Sequence, residues 1–444
     1  MDLRVALVTA GLAGLMALVA GALPAVRAAR RAPATALRES GRGGGASRAR
    51  RRTTRMLVAA QLAAAVVLVI SAGLLVRSLA ALNRVDPGFT IDGRVTARVH
   101  LAPGLPAERE ARAVAMNELA AALRADPLLD RVALASTIPF GGEDEYVATF
   151  IAGVTDDPND LPMARHHRVS PSFFEAAGIP VLWGRGLAES DRLGTPLVAV
   201  VDETFADQFF PGENPVGRTV RYPWRGAPDI EIVGVVGATR DGDLSAEREP
   251  TLWVPLAQMG LGPLGHAVVV ARTPGDPAAA LGAIMRRVRQ LDERMAVSEL
   301  LTYEQRLGAS LAGTRLMALI LLVFAVATLL LGCVGVYGVA AFSVRERLRD
   351  IGVRMAMGES TSGIRRSVFH DGLLLALPGG LVGLLLAVPA TRALEGLLFG
   401  VAPLDPVTFL AVPVVLCASA LLAVYVPARR ATSVDPAIVL RGEA

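Results

Sequence analysis

Five stretches without a single charged residue constrain this chain more than anything else in it. They are Val5–Val26, Met56–Val76, Leu316–Val344, Gly372–Thr391 and Pro406–Ala428. Each is long enough to cross ~30 Å of hydrocarbon, which takes roughly 20 helical residues. Between the second and third lies a polar block, residues 85–310, large enough to bury a core of its own. The class of fold that follows is an α-helical membrane protein of about five transmembrane helices with a large α+β domain outside the membrane.

The formal net charge of +4 conceals two opposite populations. Residues 85–310 hold 31 acidic and 21 basic side chains, while the rest hold 10 and 24. The basicity therefore belongs to the membrane-flanking segments and does not point to nucleic acid. Residues 27–55 carry ten arginines against one glutamate, the loop 345–371 carries six, and the tail beyond Ala428 carries three. The positive-inside rule places all three on the cytoplasmic side, and the polar block then falls outside. Lipid bilayer is thus the first partner the sequence names.

All 45 basic residues are arginine; the sequence has no lysine. A P-loop needs a lysine to reach the β- and γ-phosphates, and Schiff-base or Ser-x-x-Lys chemistry needs one too. None of these can operate within these 444 residues. Cys333 and Cys417 lie inside expected spans and read as small packing residues. His100, His166, His167, His266 and His370 show no metal-ligand spacing, and the adjacent His166 and His167 read as surface residues. The run Gly141–Glu145 gathers three carboxylates without the alternation and closing glutamate of a calcium loop, so it reads as a solvated loop. Gly184-Arg185-Gly186 is too short to cradle a phosphate. No catalytic constellation, cofactor site or metal site emerges. Gly332, Gly335 and Gly338 read as points of close helix approach in the membrane.

The two ends of the chain repeat. Shifted by 403 positions, residues 17–38 overlay residues 420–441 with 11 identities, including Pro24, Arg27 and Pro33 on Pro427, Arg430 and Pro436. Val5–Ala20 followed by Ala20-Gly21-Ala22 also resembles a signal peptide with its cleavage site. Cleavage there would leave ten arginines outside, so the repeat favours a span with a tail.

The polar block reads as two β-α-β units around an insertion. Arg94–Leu101, a helix from Pro106 to Ala125 and Arg131–Ser136 form the first; His266–Arg272, a helix Pro277–Leu291 and Ala296–Leu301 form the second. That order predicts ferredoxin-like halves, with a β-rich insertion carrying strands such as Leu197–Val201 and Ile230–Val236.

Directly after the third apolar stretch comes SVRERLRDIGVRMAMGE, residues 343–359. Val344, Leu348, Ile351 and Met355 share one face at helical spacing, which predicts a single amphipathic helix over 344–357. Arg345, Glu346, Arg347, Arg349, Asp350 and Arg354 cover the other faces, and Gly358 supplies a left-handed stop. Such a helix at a membrane surface either docks a soluble partner or merely anchors its span.

These residues resemble the MacB/FtsX family of ABC-transporter permeases. Arg345-Glu346-Arg347 followed by residues 349–358 is similar to that family's coupling element, with Asp350 where glutamate is commoner and Met357 where leucine is. Pro427–Ala431 and Asp435–Arg441 look like its closing signature. Val169–Phe174, Gly178–Pro180, Gly184-Arg185, Phe210–Gly217 and Ile232–Gly237 look like its periplasmic core domain. The resemblance implies that residues 1–38 are the last span and tail of a preceding FtsX-like unit and 39–55 an Arg-rich cytoplasmic linker. It implies a span at 56–84, a periplasmic core domain at 85–310 and a three-span permease domain at 311–444, together like the second half of a duplicated permease. It further implies a multi-pass inner-membrane location, an ABC ATPase binding ATP in trans, pairing as a homodimer or with another permease unit, and a periplasmic adaptor. The coupling residues carried over are Val344, Arg345, Glu346, Arg347, Leu348, Asp350, Ile351, Gly352, Arg354 and Gly358. Two functions fit: a permease moving an extracytoplasmic substrate, and a signalling scaffold that switches a periplasmic hydrolase.

Overall fold

The computed structural model describes residues 45–102, 109–155, 157, 160–259 and 265–432. In chain order the elements are α1 (Gly45–Leu82), β1 (Arg94–His100), α2 (Arg109–Arg124), β2 (Arg131–Ala135), β3 (Tyr146–Ala148), β4 (Phe150–Ile151), β5 (Met163–Val169), α3 (Phe173–Ala177), β6 (Val181–Gly184), β7 (Val198–Asp202), α4 (Glu203–Phe209), β8 (Thr219–Arg221), β9 (Ile230–Val236), β10 (Thr251–Pro255), α5 (Leu256–Met259), β11 (His266–Arg272), α6 (Pro277–Leu291), β12 (Ala296–Thr302), α7 (Tyr303–Ser310), α8 (Ala312–Glu346), α9 (Leu348–Ala356), α10 (Thr361–Ala393) and α11 (Pro406–Thr432). They form two compact units, a helical one from residues 45–71, 321–393 and 404–432, and a sheet-based one from residues 72–320 and 394–403.

Strand alternation builds the sheet-based unit. Val95, Ala97 and Val99 of β1, Val132 and Leu134 of β2, and Ala267, Val269 and Ala271 of β11 all point to one face. There they meet Met116, Leu119 and Leu123 of α2 and Ala280, Ile284 and Val288 of α6. The intervening Ala133, Ala135, Val268 and Val270 point to the opposite core, beside Phe173, Trp253 and Tyr303. Strands run β12-β1-β11-β2 with antiparallel neighbours, so the two β-α-β units interleave as ferredoxin-like halves. The insertion enters between β2 and β11 and extends the same sheet through β5, β10, β7 and β9. Its β5–β10 and β7–β9 pairs are parallel, and a third core forms around Phe205, Ile232 and Leu252.

In the helical unit, four helices among the described residues are long and apolar enough to cross a membrane: Arg52–Leu82, Ala312–Glu346, Thr361–Ala393 and Pro406–Thr432. The expected count of about five is thus four here; Val5–Val26, the N-terminal copy of the repeat and the residues beyond Thr432 lie outside the described residues. Gly379 and Gly383 of α10 lie against the backbone of α1. A β-carbon on Gly379 would lie 2.6 Å from the Ala59 carbonyl oxygen, and one on Gly383 would lie 2.8 Å from that of Ala63. Backbone meets backbone there, as small residues four apart permit. Gly332 and Gly335 face Leu62 and Val58 more loosely, and Gly338 has nothing within 4 Å, contrary to the expectation for it. Phe324, Leu330, Leu385 and Leu422 stay exposed, as on helices solvated by lipid.

Candidate coupling site

The expected single helix over 344–357 is broken. Val344, Arg345 and Glu346 end α8, and Arg347 interrupts the helix at φ −100° and ψ 6° before α9 begins at Leu348. The Arg347 N–H is shared between the carbonyls of Ser343 and Val344, at 3.2 and 3.1 Å, which tightens the turn. Helical hydrogen bonding resumes with Ile351 N donating to Arg347 O at 2.8 Å.

The apolar stripe on either side of the break packs on the chain's own helices. Val344 is buried with Ile364 of α10 and Ala431 of α11, and Leu348, Ile351, Met355 and Val368 pack on that cluster. The predicted stripe exists, but the chain's own helices occupy it. Gly352 is buried too. Asp350 and Arg354 of α9 are exposed, as are Arg345 and Glu346 at the end of α8 and Arg347 in the break, with Val353 at 39% and Met357, just past α9, at 77% exposure. Asp350 and Arg354 pair at 3.2 Å, one turn apart.

Gly358 ends α9 at φ +95°, as the sequence implied. Its N–H donates to Met355 O at 3.0 Å, and Glu359 N donates to Arg354 O at 3.0 Å, closing a Schellman motif. Arg347 Nη1 donates to Asp371 Oδ2 of α10 at 2.7 Å. The site is therefore a short, capped helix clamped on one side and presented on the other. Among its described residues the exposed side chains include guanidiniums, carboxylates, Val353 and Met357.

In the sheet-based unit two expectations are corrected. His166 and His167 are not surface residues but 4% and 3% exposed, because successive residues of β5 point to opposite cores. His167 is hydrogen-bonded to Thr137 Oγ1 (2.7 Å) and Asp241 Oδ2 (2.9 Å) and stacks on Trp253. His166 meets the Tyr222 hydroxyl at 2.7 Å, and burial holds its pKa below the usual imidazole value. The Gly141–Glu145 loop is ion-paired rather than simply solvated: Glu143 with Arg98, Asp144 with Arg165 and Glu145 with Arg168, while Glu143 also shares a hydrogen bond with His266. Among the described residues no three His, Cys, Asp or Glu side chains gather to hold a metal. Gly184 pairs with Gly234 across β6 and β9, where a β-carbon on either would strike a carbonyl oxygen, so this pair serves strand crossing.

Residues 56–288 match the MacB-like periplasmic core domain family, and residues 322–436 match the FtsX-like permease C-terminal family. Among curated proteins, the pyoverdine export ATP-binding/permease protein PvdT of Pseudomonas putida is 26% identical over 302 residues, 63% of this chain and 45% of that protein. The macrolide export ATP-binding/permease protein MacB of Hahella chejuensis is 29% identical over 288 residues, 62% of this chain and 42% of that one. The chain thus spans less than half the length of the curated relatives it matches. The solved periplasmic region of MacB from Actinobacillus actinomycetemcomitans aligns at 15% identity and a TM-score of 0.33, over 49% of this chain and 92% of that one. With one family covering more than half of its residues and a second covering its last three apolar helices, the chain belongs to the MacB/FtsX family of ABC-transporter permeases and is a multi-pass inner-membrane protein.

Proposed function

We propose that this chain is the permease subunit of an ABC transporter that converts ATPase motion into movement of its periplasmic domain. The observation that carries the reading is the outward polar face of α9, fixed to the end of the α8 span at Arg347 and backed by α10 and α11. A force applied to Asp350, Arg354 or Met357 meets a helix that cannot slide freely, because its other side is packed on Ile364, Val368 and Ala431. The load therefore passes into α8, which leads to the periplasmic domain. ATP hydrolysis is supplied in trans by an ABC ATPase subunit, the partner that membership of this permease family implies; these 444 residues themselves offer no lysine for a P-loop. The chain acts as a homodimer or beside another permease unit, and a periplasmic adaptor extends the path outward. The two relatives are named for export of pyoverdine and of macrolides, and an extracytoplasmic substrate is the corresponding expectation here.

Co-purification tests this. A tagged full chain should bring down one ABC ATPase from its own host and raise that ATPase's turnover in nanodiscs. The chain alone should hydrolyse no ATP. Hydrolysis by the isolated chain, or an ATPase whose turnover ignores it, would overturn the reading.

A further inference from the structure

Arg52, Arg55, Met56 and Ala59 of α1 follow at i, i+3, i+4 and i+7, so they share one helix face. Asp371, Leu374, Leu375 and Pro378 of α10 follow the same spacing. The two faces line a single open groove of about 650 Å³, and Arg347 closes its charged end. Both helices enter the membrane in the same direction, because Gly379 and Gly383 meet Ala59 and Ala63 in ascending order. The charged residues of both faces therefore sit at the same boundary, and the apolar ones follow them into the bilayer.

The lining has a definite chemistry. At the water boundary stand three guanidiniums and one carboxylate, and that carboxylate, Asp371, is already engaged by Arg347. Deeper come Met56 and Leu374, both more than half exposed, and Pro378. Surplus positive charge at headgroup level above an apolar floor complements one molecule class: a phosphate carried on an acyl chain. Guanidiniums bind phosphate through charge-assisted hydrogen bonds. The floor lies within the apolar span, where a small free anion has nothing to contact and a water-soluble peptide cannot reach. We infer that this groove is a binding site for an anionic glycerophospholipid, its phosphate on Arg52, Arg55 and Arg347 and an acyl chain along Met56, Leu374 and Pro378.

The test uses the full chain in vesicles of phosphatidylcholine containing spin-labelled phosphatidylglycerol or spin-labelled phosphatidylcholine, with the motionally restricted fraction read by electron spin resonance. The wild type should restrict phosphatidylglycerol about fivefold more than phosphatidylcholine, the scale of one interfacial arginine. R52Q/R55Q should lose most of that preference, and R52K/R55K, which keeps both charges, should retain it. R365Q/R366Q removes two exposed arginines of α10 outside the groove and should also retain it. Equal restriction of the two lipids by the wild type would overturn the proposal, as would an R52Q/R55Q protein that selects like the wild type. A drop in R365Q/R366Q equal to that in R52Q/R55Q would mean general interfacial charge and no site. Abolition of the preference by excess inorganic phosphate would make it a small-anion site and likewise overturn the lipid assignment.

Discussion

Arg347 and Asp371 are joined by a 2.7 Å hydrogen bond that ties the break between α8 and α9 to the first half of α10. Both side chains are about half exposed, 52% and 45%, so the pair is worth roughly 0–1 kcal/mol in stability. Arg347→Ala is expected to unfold within a few degrees of the wild type, by thermal denaturation of the full chain in detergent. If the break transmits force, the same variant should stimulate its ATPase several-fold less. Full stimulation by R347A would remove the pair from the transmission path.

The two faces of α9 make opposite predictions. Ile351 packs on the Val344–Ile364–Ala431 cluster, and Ile351→Asp would place a carboxylate there at a cost on the order of a few kcal/mol. It should lower the melting temperature and the yield before any partner is considered. Met357 is 77% exposed, so Met357→Glu should leave folding within about 0.5 kcal/mol of wild type. It should nonetheless weaken ATPase binding about tenfold if Met357 lies at the contact. Melting curves and pull-downs on the two variants separate the faces, and the reverse pattern would show that they are wrongly assigned.

What the sequence made legible was local. The order of the two β-α-β units predicted the ferredoxin-like halves, and β11 and α6 begin and end at the expected residues. The stripe Val344, Leu348, Ile351 and Met355 was legible as well. Its occupant was not, because Ile364, Val368 and Ala431 come from helices whose packing is set by tertiary structure. The same limit hid the buried histidines: two adjacent polar residues look like surface until a strand sends one to Tyr222 and the other to Trp253. Gly379 and Gly383 carried the right small-residue spacing, but only their partners Ala59 and Ala63 reveal a crossing.

That crossing can be graded. Gly379→Ala and Gly383→Ala each force a β-carbon to within 3 Å of a carbonyl oxygen on α1, so the helices must separate or shift. Gly338→Ala meets nothing within 4 Å and serves as the matched control. The first two should lower the melting temperature of the full chain in detergent, the double variant further, and the control should not. Equal melting for all of them would mean that α1 and α10 do not rely on this approach.

Orientation rests on arginine counts, and two exposed serines test it. Cysteine at Ser362, beside α10's first turn, should be shielded from an impermeant thiol reagent in intact cells, whereas cysteine at Ser190 should react once the outer envelope is permeabilised. Because Cys333 and Cys417 are free and half-buried, both are first replaced by alanine. Labelling of Ser362→Cys without labelling of Ser190→Cys would invert the topology.

Asp202 gives the periplasmic domain a signed pH dependence. Its Oδ1 accepts from Phe205 N at the start of α4 and from Thr251 N of β10, each at 2.9 Å, in a fully buried position. Burial pushes its carboxyl up to about 7, against the pull of those amides. An unfolded aspartate titrates near ~3.9. Between roughly pH 4 and 7 the native state therefore holds a proton that the unfolded chain has released, and stability falls as pH rises through this window. Below it both states are protonated, and above it both are charged, so this group contributes no further slope. Asp202→Asn keeps the Oδ1 acceptor and cannot ionise. Relative to the wild type, the variant should gain melting temperature from pH 5 to about pH 7 and level off above it, measured on the full chain in one detergent and at constant ionic strength. A difference between variant and wild type that stays constant over that range would show that Asp202 does not titrate there.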